Sequence, residues 1–209
     1  MIRAKKEDVT IRNFLQEDIT PLVNYWTKNS AEFWKARGLD KSKLMSESEF
    51  TDFYLNAFRK YGDVKTVAVI LYKNKAIGVH TLTDFIENES AIFHAHIWNE
   101  EHRKIGIGNY SYIKAADFFM KKLNLKKIIF KSPKINLGAN RIKEKLGIPC
   151  LGDTVFESPV LFAPIQANLY ELDIELLEKI KAKTPIAEWI SKVFVPVSRK
   201  IKTKSPISR

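Results

Sequence analysis

Ala91-Ile92-Phe93-His94-Ala95-His96-Ile97-Trp98, closely followed by Arg103-Lys104-Ile105-Gly106-Ile107-Gly108, is the stretch on which the reading of this chain turns. Residues 91–98 alternate as a half-buried strand does. Residues 110–122 read as a helix. The glycine-bearing loop therefore joins a strand to a helix N-terminus. The first N–H groups of a helix lack intrahelical partners, and the dipole there is positive. Glycines let a ligand approach that backbone closely. The loop is a candidate anion site, suited to a phosphate or pyrophosphate. A plain turn that needs two glycines is the simpler alternative.

A dinucleotide fingerprint does not fit. It needs a third glycine or alanine, where this chain has Ser111, and an acidic residue after the next strand. Here that strand runs into Lys131-Ser132-Pro133-Lys134. Arg103-x-x-Gly106-x-Gly108 instead resembles the Arg/Gln-x-x-Gly-x-Gly/Ala motif of the GNAT superfamily of acyl-CoA-dependent N-acyltransferases. Downstream, Asn136, Ala139 and the closing Glu144-Lys145-Leu146-Gly147-Ile148 are similar to that family's second signature. The resemblance spans roughly residues 8 to 173 and is specific over 91–148. Arg141 within the second signature resembles the branch that acetylates ribosomal-protein N-termini.

The rest of the chain supplies the expected frame. Residues 9–14 alternate as a first strand. Residues 19–28 read as a helix, with Leu22, Tyr25 and Trp26 on one side. Residues 31–44, carrying Phe33 and Trp34, read as a loop or broken helix. Ser46-Glu47-Ser48-Glu49 is a capping box opening a helix to about Tyr61, with Phe50, Phe53, Tyr54 and Phe58 on one broad face. That face reads first as core, although GNAT proteins shape the acceptor site between these helices.

Residues 66–72 and 76–83 form a hairpin turned at Lys73-Asn74, with Gly78 marking a bulge or a close backbone approach. Residues 127–130, 154–156 and 168–172 are further strands, and 136–146 is a helix stopped by Gly147. The expected fold is α+β (an α/β three-layer arrangement). It has a mixed, mostly antiparallel six- to seven-stranded sheet with helices on both faces. The resemblance adds that the sheet splays open at its centre.

The resemblance also implies the chemistry. Acetyl-CoA would be the co-substrate, and no metal is called for. Its pyrophosphate would rest on the backbone of Ile105, Gly106, Ile107, Gly108 and Asn109, with Arg103 and Lys104 as nearby charges. Its pantetheine arm would pair with the strand edge at Ile97, Trp98 and Asn99, and Asn136, Ala139 and Lys143 would border it. Lys143 stands where many members carry a Tyr that protonates the leaving thiolate. Tyr110 and Tyr112 are alternative donors that fit helix packing equally well.

The acceptor amine must lose a proton before attack. No carboxylate occurs between residues 91 and 98, whereas His94 and His96 lie two apart and so on one face. His96 is the candidate base with His94 second, and His80 on the neighbouring strand is a candidate partner. The plainer alternative makes them packed sheet histidines.

The chain has 209 residues, one cysteine and a net charge of +11. A lone Cys150 excludes an internal disulfide, suits a reducing compartment and reads as a small core residue. No apolar run reaches the ~20 residues of a membrane span, and the first residues carry no secretory pattern. The expectation is a cytoplasmic protein. Residues 1–172 form the acetyltransferase domain, 173–195 a helical appendage and 196–209 a basic, disordered tail.

The stretch 192–209 carries six Lys/Arg and no acid. Its helix, started by Thr184-Pro185 and striped by Ile186, Trp189, Ile190, Val193 and Phe194, suits the domain's own core or a homodimer. With the tail it also suits a membrane or nucleic-acid contact. The leading function is acetyl transfer to a primary amine on a protein N-terminus or a small molecule. The alternatives are a catalytically silent acyl-CoA-binding module and an interaction protein acting through its C-terminal helix and tail.

Overall fold

A computed structural model of the chain describes residues 4–183. In chain order the elements are β1 (Val9–Asn13), α1 (Ile19–Lys28), α2 (Ala31–Lys35), α3 (Glu47–Tyr61), β2 (Val67–Tyr72), β3 (Lys75–Ile86) and β4 (Ser90–Ile97). Then come α4 (Ile107–Leu123), β5 (Lys127–Pro133), α5 (Leu137–Leu146), β6 (Cys150–Phe156), β7 (Ile165–Asp173) and α6 (Ile174–Lys183). The sheet has seven strands in the order β1-β2-β3-β4-β5-β7-β6. Every neighbouring pair is antiparallel except β4 and β5.

Local chemistry explains the frame. Ser46 Oγ accepts the Glu49 N–H at 3.3 Å, and Glu49 Oε2 accepts the Ser46 N–H at 2.7 Å, so the capping box starts α3. Lys73 and Asn74 take φ of 49° and 65°, the double left-handed turn that suits a tight hairpin between β2 and β3. The Arg12 guanidinium donates to both Asp18 oxygens, at 2.6 and 2.9 Å, and Asp18 also accepts the Leu15 N–H at 2.8 Å. This ties β1 to the start of α1.

Alternation in the central strands then sorts side chains into two layers. Ala68, Ala91, Phe93, Ile128, Phe130 and Leu172 pack against Ala115, Ala116 and Phe119 of α4 and Leu177 and Ile180 of α6. Val67, Val69 and Val79 pack on the other face against Leu22 and Val23 of α1 and Tyr54 of α3. Burial of the Val, Leu, Ile and Phe side chains among these contributes about 1.5–3 kcal/mol each.

Two expectations are corrected. Phe53 points away from the α3 core face and is 57% exposed. Cys150 is exposed at the start of β6, because Ile148 has already filled the core position beside it. β7 ends at Asp173, which caps α6 by accepting the Leu176 N–H at 2.7 Å, and Leu177 and Ile180 of α6 pack into the core. The helix expected from Thr184 and the basic tail lie outside the described residues. No helix among the described residues is long and apolar enough to cross a membrane.

Candidate active site

The site begins with a break in the sheet. β4 and β5 pair only from Ser90↔Lys127 to Ile92↔Ile129, although both strands continue. Beyond that point β5 keeps its other neighbour, β7, through Pro133↔Ala167. β4 keeps β3 through Ile97↔Gly78. The two strands therefore fork, and residues 93–97 present an unpaired edge to the gap.

Strand alternation sets which groups face it. The Trp98 N–H donates to Ile77 O at 2.9 Å, toward β3. Phe93, Ala95 and Ile97 consequently direct their backbone groups into the fork. Of the edge expected at Ile97, Trp98 and Asn99, Ile97 belongs to the fork, whereas the Trp98 N–H is committed to β3 and the open edge extends back to Phe93.

The glycine loop closes one end of the gap. Gly106 has φ 96° and caps α4 with no side chain, and an added Cβ there would meet open space. Gly108 serves packing instead, since a Cβ there would lie 2.6 Å from Ile142 Cδ1 of α5. The Asn109 N–H donates to Gly106 O at 3.2 Å. The Ile107 and Gly108 N–H groups are left as the candidate anion donors at this helix start. Ile105 packs beneath the loop on the small core of Ala4, Val9, Ile70, Ile77 and Ile107. Lys104 is exposed.

Arg103 departs from expectation. Its guanidinium donates to Ile97 O at 2.8 Å and Trp98 O at 3.3 Å, so it clamps the end of β4 rather than reaching over the loop.

The histidines divide between the faces. His94 and His96 lie on the α1 face, as their spacing requires. His96 is half-buried, with its ring 5.0 Å from Trp26 and 5.7 Å from Tyr25. Trp26 stacks on Trp34 at 4.9 Å and on Phe50 at 6.0 Å, building an aromatic wall from α1, α2 and α3. Arg37 lies 3.6 Å over Phe33 at its rim. Burial pushes the His96 imidazole down to about 3, helped by repulsion from His94 and His80 where these are protonated and by the charge of Arg37. His94 contacts Thr83 Oγ1 at 2.8 Å, and burial pushes it down to about 4.

His80 does not join them. It pairs in register with Ala95, so it faces α4, with its ring 4.6 Å from Phe93 and 5.3 Å from Tyr112.

α5 forms the other wall. The Asn136 side-chain oxygen accepts the Ala139 N–H at 3.1 Å, capping the helix. Asn140, whose role no local spacing encodes, fixes α5 to the sheet. It donates to Pro133 O at 3.0 Å and accepts from Tyr170 Oη at 3.1 Å. Lys143, one turn on, is 2% exposed.

Residues 8–148 match the family described as Acetyltransferase (GNAT) domain. No curated protein matches the chain in sequence. Among solved structures, the chain is similar to spermidine N-acetyltransferase from Vibrio cholerae in complex with CoA and spermine. That match has 18% identity over 82% of this chain and 99% of that one, with a TM-score of 0.65. It is also similar to RimL, the ribosomal L7/L12 α-N-protein acetyltransferase, in complex with coenzyme A (15% identity, 81% and 96% covered, TM-score 0.64). A third is the aminoglycoside acetyltransferase AAC(6')-Ib with coenzyme A and kanamycin (16% identity, 82% and 98% covered, TM-score 0.61). At these identities the likeness is one of fold.

Proposed function

The chain belongs to the GNAT acetyltransferase family, and on that premise we propose that it passes the acetyl group of acetyl-CoA directly to a primary amine, on a protein N-terminus or a small molecule. The observation that carries this is the fork. An unpaired strand edge at 93–97, an uncapped helix start at Ile107–Gly108 and an aromatic wall around His96 border one gap.

Each part has a task in this reading. The peptide-like pantetheine takes the place of the strand missing beside β4. Backbone N–H groups of that edge hold the thioester oxygen and stabilise the charge it gains during attack. The Ile107 and Gly108 N–H groups, with Gly106 open beside them and Lys104 near, receive the pyrophosphate. Arg103 keeps the end of β4 in place, and Asn136 and Ala139 shape the first turn of α5 beside the cofactor.

The amine arrives from the α1 side. A dry aromatic wall under a cationic field selects the neutral amine, since an ammonium would be left without a partner. His96 is uncharged at neutral pH and accepts a hydrogen bond from the attacking N–H. His94 stands second, and the bulk of the proton leaves by water. Of the groups whose charge acts on His96, Arg37 is cationic at neutral pH, whereas His94 and His80 are uncharged there. The wall therefore suits a singly charged amine, or one flanked by an acid, better than a polyamine.

The test is calorimetric titration with acetyl-CoA, with NADH as control, followed by thiol release with spermidine, kanamycin and an alanyl peptide. Micromolar binding of acetyl-CoA alone and turnover of one amine, reduced at least tenfold by His96→Ala, support the reading. Binding without turnover of any amine favours a silent acyl-CoA module. No binding overturns the cofactor assignment.

A further inference from the structure

Lys143 is, with Asp18, one of two fully buried charged residues among those described, and Asp18 is paired with Arg12. Lys143 has no carboxylate within reach. Its Nζ lies 4.8 Å from the centre of the Tyr112 ring and 5.2 Å from that of Phe130. These neighbours mark a particular place. Phe93 follows Ile92, the last β4 residue paired to β5, and Phe130 follows Ile129, its partner. The two rings meet edge to face at 5.3 Å, and both are buried. The amine of Lys143 therefore sits at the crotch of the β4/β5 fork. A methionine or leucine would fill that volume without the cost of desolvating an unpaired ammonium.

We propose that Lys143 is the general acid that protonates the departing thiolate of coenzyme A from the crotch of the fork. This rests on acetyl transfer at that fork.

The neighbouring titratable groups leave it that task. His80, His94 and His96 are pushed down by burial and have no proton to give at neutral pH. Burial pushes the Tyr112 hydroxyl well above its ordinary value, which makes it a weaker acid. Tyr170 donates its proton to Asn140. Burial pushes Lys143 down to about 7. An ordinary thiol titrates near about 8.5, so a proton moves downhill from this lysine to a thiolate. From a solvated lysine it would move uphill.

The amine nitrogen forms its bond to the acetyl carbon, and the C–S bond breaks with its electron pair going to sulfur. Lys143 gives one proton to that sulfur, yielding the thiol and a neutral lysine. The nitrogen of the new amide loses one proton, which returns to Lys143 through water. No oxidant or second co-reactant is needed.

Lys143→Met keeps the volume and removes the proton. Lys143→Arg keeps the charge but cannot release a proton near neutrality. Melting temperature and calorimetric affinity for coenzyme A establish that each variant folds and binds. The readout is kcat for thiol release against pH, with an amine the wild type turns over. Both variants should bind coenzyme A within about threefold of wild type and lose on the order of 100-fold in kcat. The wild-type kcat should descend above pH about 7, and that limb should vanish in the variants.

Wild-type turnover in Lys143→Met, or in Lys143→Arg, overturns the assignment while leaving acetyl transfer intact. An acetyl adduct on Lys143 after incubation with acetyl-CoA alone also overturns it, because the lysine would then be a nucleophile. If Lys143→Met does not fold, the wild-type profile decides, and a kcat still level at pH about 9 overturns the assignment. A wild type that binds no acetyl-CoA sinks the acetyl-transfer reading itself.

Discussion

Gly78 of β3 lies so close to the carbonyl oxygen of His96 on β4 that no Cβ fits between them. An added Cβ would also stand 3.0 Å from Ile97 Cα. Both obstacles are backbone, so neither can swing aside as a side-chain tip would. A bulge at Ile77, where Ile70 pairs with Gly78 and Leu71 with Ala76, brings β3 this near. Gly78→Ala should therefore cost about 1–3 kcal/mol, the usual range for overpacking. It should also displace the end of β4 that borders the fork. Urea denaturation reads the first effect and calorimetry with coenzyme A the second. An unchanged midpoint with unchanged affinity would show that the approach is not tight.

The two motif glycines should fail in different ways. Gly106→Ala meets no neighbour but must hold a side chain at φ 96°. Such strain costs about 1–3 kcal/mol, and relieving it reshapes the loop, so coenzyme A affinity should fall with stability. Gly108→Ala presses on Ile142 Cδ1, the end of a side chain that can turn away. Its cost should be smaller and should be recovered in Gly108→Ala/Ile142→Val. Equal losses from both glycines, with no recovery in the double variant, would contradict this division.

Stability should rise with pH from about 5 to 9. His80, His94 and His96 titrate at 6.5 when unfolded but near 3, 4 and 3 when folded. Below 6.5 the unfolded chain takes protons that the folded chain does not, so their contribution is present above 6.5 and lost as pH falls. The fully buried His80 alone gives a slope of about 1.4 kcal/mol per pH unit in this window. Lys143 acts with the same sign higher up, its stabilising share being lost as pH falls from 10.5 to about 7. Urea midpoints at stepped pH test this, and His80→Phe should reduce the slope between pH about 5 and 6.5 by about one proton. A midpoint flat with pH in the wild type would contradict it.

The strands, the hairpin turn at Lys73-Asn74 and the Ser46–Glu49 capping box were legible because each is set by a few adjacent residues. The two glycine-bearing motifs led to the helices that follow them, although α4 starts at Ile107, three residues before the expected Tyr110. The position of the fork was not legible. It depends on where β5 abandons β4 while keeping β7, a choice made by strands far apart in sequence. The face of His80 was likewise hidden, because it follows from pairing with Ala95, and a one-residue change of register reverses it. The clamp made by Arg103 on Ile97 and the burial of Lys143 depend on how α5 and the aromatic residues pack, which no local spacing encodes.

Trp26 should control the acceptor side of the site without touching the cofactor side. Its ring lies between Trp34 and Phe50 and stands 5.0 Å from His96. It is half-buried, so Trp26→Leu should cost about 1–2 kcal/mol, less than a core truncation. Removing it admits water to His96, whose low value is caused first by burial. The imidazole should then rise from about 3 toward 6.5, read by NMR titration of the ring protons. Coenzyme A affinity should be unchanged, since its proposed contacts lie on β4, α4 and α5, while the acceptor KM should rise several-fold. A loss confined to coenzyme A affinity, with KM and the His96 titration unmoved, would place the amine elsewhere.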